Sequence, residues 1–357
     1  MNPPSIKDIA QALGISIGTV DRALHGRSGV NPATRARVLK KAEQLGYRPN
    51  IAARALKLNR RLRIGVYFPR DIASFFDPLR SGVRAAASAS TGVNVELVFR
   101  TFLRLDEGDV ELLTADVKEK FDGILVSPGN PDHIGPTLSV LARRGVPVVC
   151  VASDAPRSER LASVTADAHA SGAIAAELFS RTIQRAGHLA TITGELTTLD
   201  HAEKLRGFAA NLAVFAPHLS LLPAIESHEQ PKAAYHQAAA LLSRKPYPLG
   251  IYISTANSIP VLRALEEKNL LGKVQVIATD LFPELVPYIE SGKILATLYQ
   301  RPFAQGKTAL ELLLRYLLDG VTPEPCTRLA PHIILRSNLA LFAYYLAESG
   351  DSAVSIE

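Results

Sequence analysis

Residues Ser5 to Leu24 read S-I-K-D-I-A-Q-A-L-G-I-S-I-G-T-V-D-R-A-L. Ile6, Ile9, Ala10 and Leu13 fall on one face of a short helix. Ser5, with Asp8 three residues on, supplies an N-cap and an approximate capping box. Gly14 stops this helix, because glycine takes positive φ at little cost. Ser16 caps a second helix whose inward face is Val20, Ala23 and Leu24. Two short helices joined by a tight glycine turn make a helix-turn-helix, the unit that lays its second helix in the DNA major groove.

A third helix follows. Asn31 is its N-cap and Pro32 suits its first position. Val38, Leu39, Ala42 and Leu45 form the expected apolar stripe, and Gly46 ends it. Then comes Y-R-P-N-I-A-A-R-A-L, Tyr47 to Leu56. Asn50 after Pro49 can cap one more short helix. Isolated helices need about 12–15 residues in water, so this one orders only when something holds it.

These pieces resemble the LacI (lac repressor) family of bacterial transcription regulators. The resemblance rests on I-K-D-I-A-Q-A-L-G-I-S, T-V-D-R-A-L, N-P-A-T-R-A-R-V, L-G-Y-R-P-N and A-A-R-A-L, in the family's order and spacing. It implies that the second helix reads bases and that the short hinge helix, with Asn50, Ala53 and Leu56, orders on DNA. Leu56 matches the leucine wedged into the minor groove, where unstacking is recovered through bent, better-contacted DNA. Ile17, Gly18 and Arg22 match the positions that face base edges. Arginine pairs bidentately with guanine, and Ile17 can meet a thymine methyl. Gly18 offers no side chain and discriminates poorly. Asp21 replaces a serine common in the family; it either accepts from a cytosine amino group or orients Arg22. Thr19, Ser28, Asn31 and Thr34 are candidate phosphate contacts, with helix capping as their alternative role.

The whole chain has 357 residues, 47% of them hydrophobic, enough for two or three globular domains. Its net charge of +6 is uneven. Residues 1–63 hold 13 Lys and Arg against 3 Asp and Glu, and the remainder holds 27 against 31. A basic head on a mildly acidic body points to a polyanion for the head alone. The two cysteines, Cys150 and Cys326, lack metal-ligand spacing and suggest no disulfide framework. With no signal peptide or membrane-length apolar run in view, the expected location is the cytoplasm.

From Leu62 onward the pattern alternates. Short β runs at 62–68, 93–99, 123–127, 146–151, 189–193, 249–254, 274–279, 295–300 and 332–335 are separated by helical stretches. Among those helices are 203–212, 284–291 and the long 303–319. Such alternation predicts parallel sheets with helices on both faces. So many strands favour two α/β lobes with a cleft between them. The body is also similar to the periplasmic sugar-binding-protein fold, over roughly residues 62–340. The landmarks are S-F-F-D-P-L-R-S-G-V, D-G-I-L-V-S-P, G-V-P-V-V, D-H-A-E-K-L-R-G-F, V-I-A-T-D and G-K-I-L-A-T-L-Y-Q-R-P. The resemblance implies three crossings between lobes, expected near 162, 300 and 330.

Ligands of open α/β sheets bind beyond the carboxyl ends of strands. Sugar sites add aromatic faces to fixed polar groups. Phe75 and Phe76 match the family's paired aromatics, Asp280 its hydroxyl-accepting carboxylate, and Gln300 a cleft residue at a crossing. Ser153, Asp154, Asp167 and Asn257 also follow strands or strand-like runs. The loop before Gly207-Phe208 is expected to supply a basic contact from His201, Lys204 or Arg206. Asn257-Ser258 stands where many relatives have Asn-Asp, and Ala152-Ser153 where ribose binders have Asp-Arg, so the ribose pattern is not intact.

The resulting expectation has three parts. Residues 1–47 form a helix-turn-helix headpiece and 48–61 a hinge helix and linker. Residues 62–357 form a two-lobed effector domain, with an N-lobe at about 62–162 and 300–330 and a C-lobe at about 163–299 and 331–345. The chain is expected to be a repressor that binds a pseudopalindromic operator in double-stranded DNA as a homodimer. The tail after Tyr345 lacks heptads, so a tetramer is not expected. The effector is a sugar, cyclitol or related polyol, phosphorylated if Lys204 or His201 faces the cleft. A purine corepressor is the alternative. A sugar-binding protein without a DNA role conflicts with the basic head. An enzyme finds no support, because no phosphate loop, metal cluster or nucleophile–base pair is evident. No cofactor or membrane partner is expected.

Overall fold

The computed structural model describes residues 6–24, 29–45 and 61–342. Ser5, Ser28, Asn50, Ala53, Leu56, the hinge helix and the tail after Tyr345 lie outside these residues.

The head has α1 (Ile6–Leu13), α2 (Ile17–Leu24) and α3 (Pro32–Gln44). Their faces meet in a small core of Ile9, Ala10, Val20, Ala23, Val38 and Ala42. Gly14 takes φ 64°, and the Ile15 amide donates to the Ala10 carbonyl at 3.1 Å, closing the turn. The Ser16 hydroxyl accepts from the Thr19 amide at 3.1 Å and so caps α2. Asn31 caps α3 by accepting from the Ala33 amide at 2.8 Å. Leu39 departs from the expected stripe. It is 48% exposed, because Val38 and Ala42, one turn apart, already fill the face that meets α1 and α2.

The body is built on two sheets. The first has six strands in the order β12-β5-β4-β3-β1-β2. These are β1 (Arg61–Pro69), β2 (Asn94–Phe102), β3 (Gly123–Val126), β4 (Val148–Val151), β5 (Ala162–Ala166) and β12 (Cys326–Leu329). The path from β1 through β3, β4 and β5 to β12 is parallel throughout. The second sheet runs β13-β11-β10-β9-β6-β7, with β8 also paired to β6. Its strands are β6 (Gly187–Thr193), β7 (Leu219–Leu221), β8 (Ile225–Glu226), β9 (Gly250–Ile253), β10 (Gln275–Thr279), β11 (Ala296–Tyr299) and β13 (His332–Ile334). Strand β13 runs antiparallel to β11, and the pairings of β11 with β10, β10 with β9, β9 with β6, and β6 with β7 and β8 are parallel. Strands β3, β4, β9 and β11 are buried along their whole length, as parallel strands covered on both faces must be.

The helices are α4 (Ala73–Ala89), α5 (Asp109–Ala115), α6 (Pro131–Arg143), α7 (Ala168–Thr182), α8 (Leu199–Phe215), α9 (Pro231–Leu241), α10 (Ser258–Glu267), α11 (Val286–Glu290) and α12 (Pro302–Asp319). Two helix pairs approach without side chains between them. A β-carbon on Gly82 of α4 would lie 2.0 Å from the Phe303 carbonyl of α12, and one on Gly306 2.0 Å from the Leu79 carbonyl. In the second lobe, Gly172 of α7 faces the Lys204 carbonyl of α8 at 1.9 Å in the same sense, and Gly207 faces the His169 carbonyl at 2.1 Å. No substitution with a side chain fits at these four positions without moving backbone.

The chain passes between lobes after β5, between β11 and α12, and between β12 and β13. The first passage comes after Ala166, not near 162. Ala162–Ala166 pairs with β4 and β12 and so stays in the first lobe. The other two passages, at 300–301 and 330–331, lie on adjacent strands, since β12 pairs with β5 and β13 with β11. No described helix is long and apolar enough to cross a membrane.

Candidate functional site

The carboxyl ends of β1, β4, β6, β9, β10 and β11 converge on a small cavity of ≈ 40 Å³ between the lobes. From the first lobe come Ile72, Phe75, Phe76, Leu105, Ala152 and Ser153. From the second come Thr198, Asp200, His201, Lys204, Glu229, Thr255, Asp280 and Gln300. Four lining residues that are not glycine hold left-handed backbones: Ile72 at φ 59°, Ala152 at 68°, Glu229 at 53° and Asp280 at 67°. Each such residue costs on the order of 1–3 kcal/mol, and such residues gather where a site needs a fixed shape.

The charges in this cavity are matched in pairs. Helix α8 begins at Leu199, four residues before the expected Glu203, so Asp200, His201 and Lys204 lie on its first two turns rather than in a loop. Lys204, 1% exposed, donates from Nζ to Asp200 Oδ2 at 2.6 Å, one helical turn back. His201 Nε2 lies 3.0 Å from Glu229 Oε1. Burial works against the imidazolium, yet Glu229 beside it holds His201 above its ordinary value. Burial likewise works against the Glu229 carboxylate, yet His201, with help from Thr255, holds it below its ordinary value. Both shifts favour the charged pair, and His201 Nδ1 sits 2.9 Å from the Glu195 amide nitrogen and 3.1 Å from the Glu195 carbonyl. Thr255 Oγ1 and Asn257 Nδ2 donate to Glu229 Oε2 at 2.8 and 3.3 Å. Arg206 turns outward to Glu203 on the surface.

Asp280 is 2% exposed at the end of β10. The Gln300 side-chain amide donates to its Oδ2 at 2.8 Å and the Gln300 backbone to its Oδ1 at 3.2 Å. Burial pushes its carboxyl up to about 6, against Lys204 and the Gln300 donors, which favour the charged form. Phe75 and Phe76 meet edge to face at 5.0 Å between centroids. Two hydroxyls on the cavity wall, Ser153 Oγ and Thr198 Oγ1, are buried without a protein partner, as is Asp200 Oδ1. Buried polar atoms in folded proteins are nearly always bonded, so these three have bonding capacity to spare at the cavity wall.

Seven expected ligand residues meet at this cavity: Phe75, Phe76, Ser153, His201, Lys204, Asp280 and Gln300. Three do not line it, although Asp154 and Asp167 line a larger cavity that shares Ala152, Ser153 and Asp200 with it. Asp154 is gripped by Arg160 through Nε and, at 2.7 Å, Nη2, and it also accepts from the Ala155 amide. Asp167 caps α7 by accepting from the Ala170 amide at 2.9 Å. Asn257 is spent on Glu229 and does not line the cavity. Glu229 was missed. Its signal was a carboxylate three residues past a strand only two residues long, too faint to separate from an ordinary polar loop.

In the head, Ile17 is 50% exposed, and Gly18 and Arg22 are also exposed on α2. Asp21 is half-buried. Thr19 bonds Ser16 Oγ through its own hydroxyl at 2.8 Å, and Asn31 is used as a cap. Thr34 is half-buried in the first turn of α3.

Two family models match the chain. Residues 64–320 match the periplasmic binding protein domain, and residues 5–50 match the bacterial regulatory proteins of the lacI family. The chain is 25% identical over 341 residues to Catabolite control protein A of Priestia megaterium, spanning 92% of this chain and 97% of that protein. It is 26% identical over 350 residues to the HTH-type transcriptional repressor PurR of Aliivibrio fischeri strain MJ11, spanning 94% and 98%. The body shares the fold of GanP, a glucose-galactose binding protein from Geobacillus stearothermophilus. That match has a TM-score of 0.72 and 24% identity, over 78% of this chain and 99% of that one. A solute binding protein from Bacillus halodurans C-125 with bound myo-inositol gives a TM-score of 0.71 and 16% identity, over 80% and 98%.

Proposed function

Because the chain belongs to the periplasmic binding protein domain family through residues 64–320 and to the lacI family of bacterial regulatory proteins through residues 5–50, we propose that it represses transcription as a homodimer and answers to a sugar or cyclitol held between its lobes. The chain is a ligand-responsive regulator of the LacI type. The single observation that supports a neutral polyol is the pairing of charge: Lys204 with Asp200, and His201 with Glu229. A phosphorylated ligand needs a cation to spare, and both buried cations here already have carboxylates. Asp280, Ser153 and Thr198 remain to bond hydroxyls, with Phe75 and Phe76 as the apolar wall.

The DNA side of the proposal uses Ile17, Gly18 and Arg22 at base edges, Thr19, Ser28, Asn31 and Thr34 near phosphates, and Asn50, Ala53 and Leu56 in the hinge. Two α2 helices of a dimer would then read half-sites about one helical turn apart. A ligand shifts such an equilibrium only by its different affinity for the two lobe angles. The site binds and releases its ligand without turnover, and the protein works beside the chromosome in the cytoplasm.

The test is selection of operators from random duplex DNA with the full-length protein, followed by titration with sugars, cyclitols, sugar phosphates and purine bases. A palindromic consensus released by a neutral polyol is the expected result. Tighter operator binding with a purine would replace the polyol by a corepressor. The absence of any consensus would remove the regulatory assignment.

Asp280→Ala should weaken polyol binding tenfold to a hundredfold, since a hydrogen bond to a charged group contributes about 1.5–3 kcal/mol. The pH dependence gives a second check. With its carboxyl titrating at about 6, Asp280 loses its charge as pH falls from 7 to 5, and ligand affinity falls with it. Stability of the unliganded protein moves the opposite way. Between its ordinary value of 3.8 and about 6 the folded state holds the extra proton, so this group's contribution to stability grows as pH falls. Titration calorimetry for affinity and thermal melts of the unliganded protein for stability, each at pH 5, 6 and 7, should show both trends lost in the variant. Identical pH profiles in the two proteins would take Asp280 out of the site.

A further inference from the structure

Outside the cleft, the second lobe gathers three metal-ligating side chains where β6 and β8 end. Residues 193–195 read T-G-E and residues 226–228 read E-S-H. The two runs lie side by side as a ribbon. Thr193 and Glu226 are register partners on parallel β6 and β8. The Ser227 amide donates to the Thr193 carbonyl at 2.9 Å and the His228 amide to the Gly194 carbonyl at 3.3 Å. Side chains of extended chain alternate between faces, which puts Thr193, Glu195 and Glu226 on one face. His228, left-handed at φ 51°, joins them there, with Nδ1 2.8 Å from Glu195 Oε2. One ligand atom each from Glu195, Glu226 and His228 lie within 4.8 Å of one another. Gly194 turns to the opposite face, where a β-carbon would collide with Glu229 and His201.

We propose that Glu195, Glu226 and His228 bind a first-row divalent metal ion, zinc by preference. One imidazole nitrogen with two carboxylate oxygens suits zinc, whereas magnesium and calcium take oxygen ligands. Ligands about 2.0–2.2 Å from a tetrahedral zinc stand about 3.3–3.6 Å from each other. The cluster reaches that spacing by small side-chain rotations, and His228, 52% exposed in its side chain, has room to make them. Among the described residues neither carboxylate has a lysine or arginine partner, so two acids share one imidazole. A second feature points to an ion. Thr193 is fully buried and leaves Oγ1 unbonded on the same face as Glu226, where it can hold a water that completes the metal's shell. The Leu196 amide donates to Glu226 Oε2 at 2.9 Å and orients that carboxylate, as outer-shell partners of metal ligands do. The ribbon is one backbone thick, and its other face backs the His201–Glu229 pair. An ion there braces that wall of the inner cavity from behind. Its binding does not depend on what fills the cleft.

The test is titration of the full-length, untagged protein with zinc in competition with a chromophoric chelator, and with magnesium as the contrast. Wild type should take up one equivalent of zinc and show no comparable affinity for magnesium. His228→Asn and Glu226→Gln should each weaken zinc binding by roughly tenfold or more. Asparagine tolerates the left-handed backbone at 228, and glutamine keeps an acceptor for the Leu196 amide, so both variants retain the local fold. Cooperative melting of each variant in the presence of chelator checks this. Cobalt in place of zinc should give the visible absorption of a tetrahedral site in wild type and lose it in His228→Asn. Failure of wild type to compete for zinc, full zinc affinity retained in either variant, or equal affinity for magnesium would overturn the inference.

Discussion

Arg22→Ala should abolish recognition of the operator while leaving weak, sequence-blind DNA binding in place. On α2, Ile17, Gly18 and Arg22 are exposed, and only Arg22 carries a forked donor. A bidentate arginine–guanine contact discriminates by about 1–3 kcal/mol. A dimer makes the contact twice, so specific affinity should fall by roughly 30-fold to 10,000-fold. Non-specific affinity depends on counterion release at phosphates and should change little. A mobility shift with operator and scrambled duplex measures both quantities. If Arg22 contacts only a phosphate, the loss should be equal on the two duplexes, and Lys in its place should restore it. Equal loss would therefore reassign the residue. Gly18 adds no side chain to the same face, so the base opposite it should tolerate change.

Glu229→Ala should cost the body more stability than any single change in its surface ion pairs. Glu229 and His201 are 4% and 6% exposed, and each is the other's main charge partner. Removing one member of a buried pair typically costs about 3–5 kcal/mol. Imidazole can shed its proton, so the lower end applies, about 3 kcal/mol or roughly 6–12 °C in melting temperature. The pH dependence is a sharper signature. Glu229 sits below its ordinary 4.5, so its contribution is complete above 4.5 and is lost as pH falls through the lowered value. His201 sits above its ordinary 6.5, so its contribution is complete below 6.5 and is lost as pH rises through the raised value. Both are complete between pH 4.5 and 6.5. The gap in melting temperature between wild type and variant should be widest in that window. A gap that is flat from pH 4 to 9 would show that the two groups are not a charged pair.

Much of this was legible in the chain before folding. The head was, because caps, a glycine stop and 3.6-residue periodicity all act within a few residues. Leu39 was the exception: it continued an apolar run, and only packing against α1 and α2 decides which two positions of that run turn inward. The alternation of the body was legible where strands are apolar, as in β1, β3, β4, β9 and β10. It was not legible at β5, β7, β8 and β12. Ala162–Ala166 reads A-S-V-T-A and Cys326–Leu329 reads C-T-R-L, and such runs become strands only because a neighbour offers hydrogen bonds. The same limit applied to the site. Asp280 and Gln300 end strong strands and could be named. Asp154 looked available until Arg160, six residues on, closed over it. Glu229, Thr198 and Thr255 reach the cavity from loops whose paths depend on the whole lobe.

The four glycines between helix pairs bear on mechanics. Where backbone lies against backbone, α4 and α12 cannot slide past one another, and neither can α7 and α8, because a small translation drives Cα atoms into carbonyls. Each lobe therefore holds one helix pair locked against sliding. Compliance is left to three short spans of chain lying side by side. A change of angle between the lobes would therefore fall on these spans and not on sliding within either helix pair.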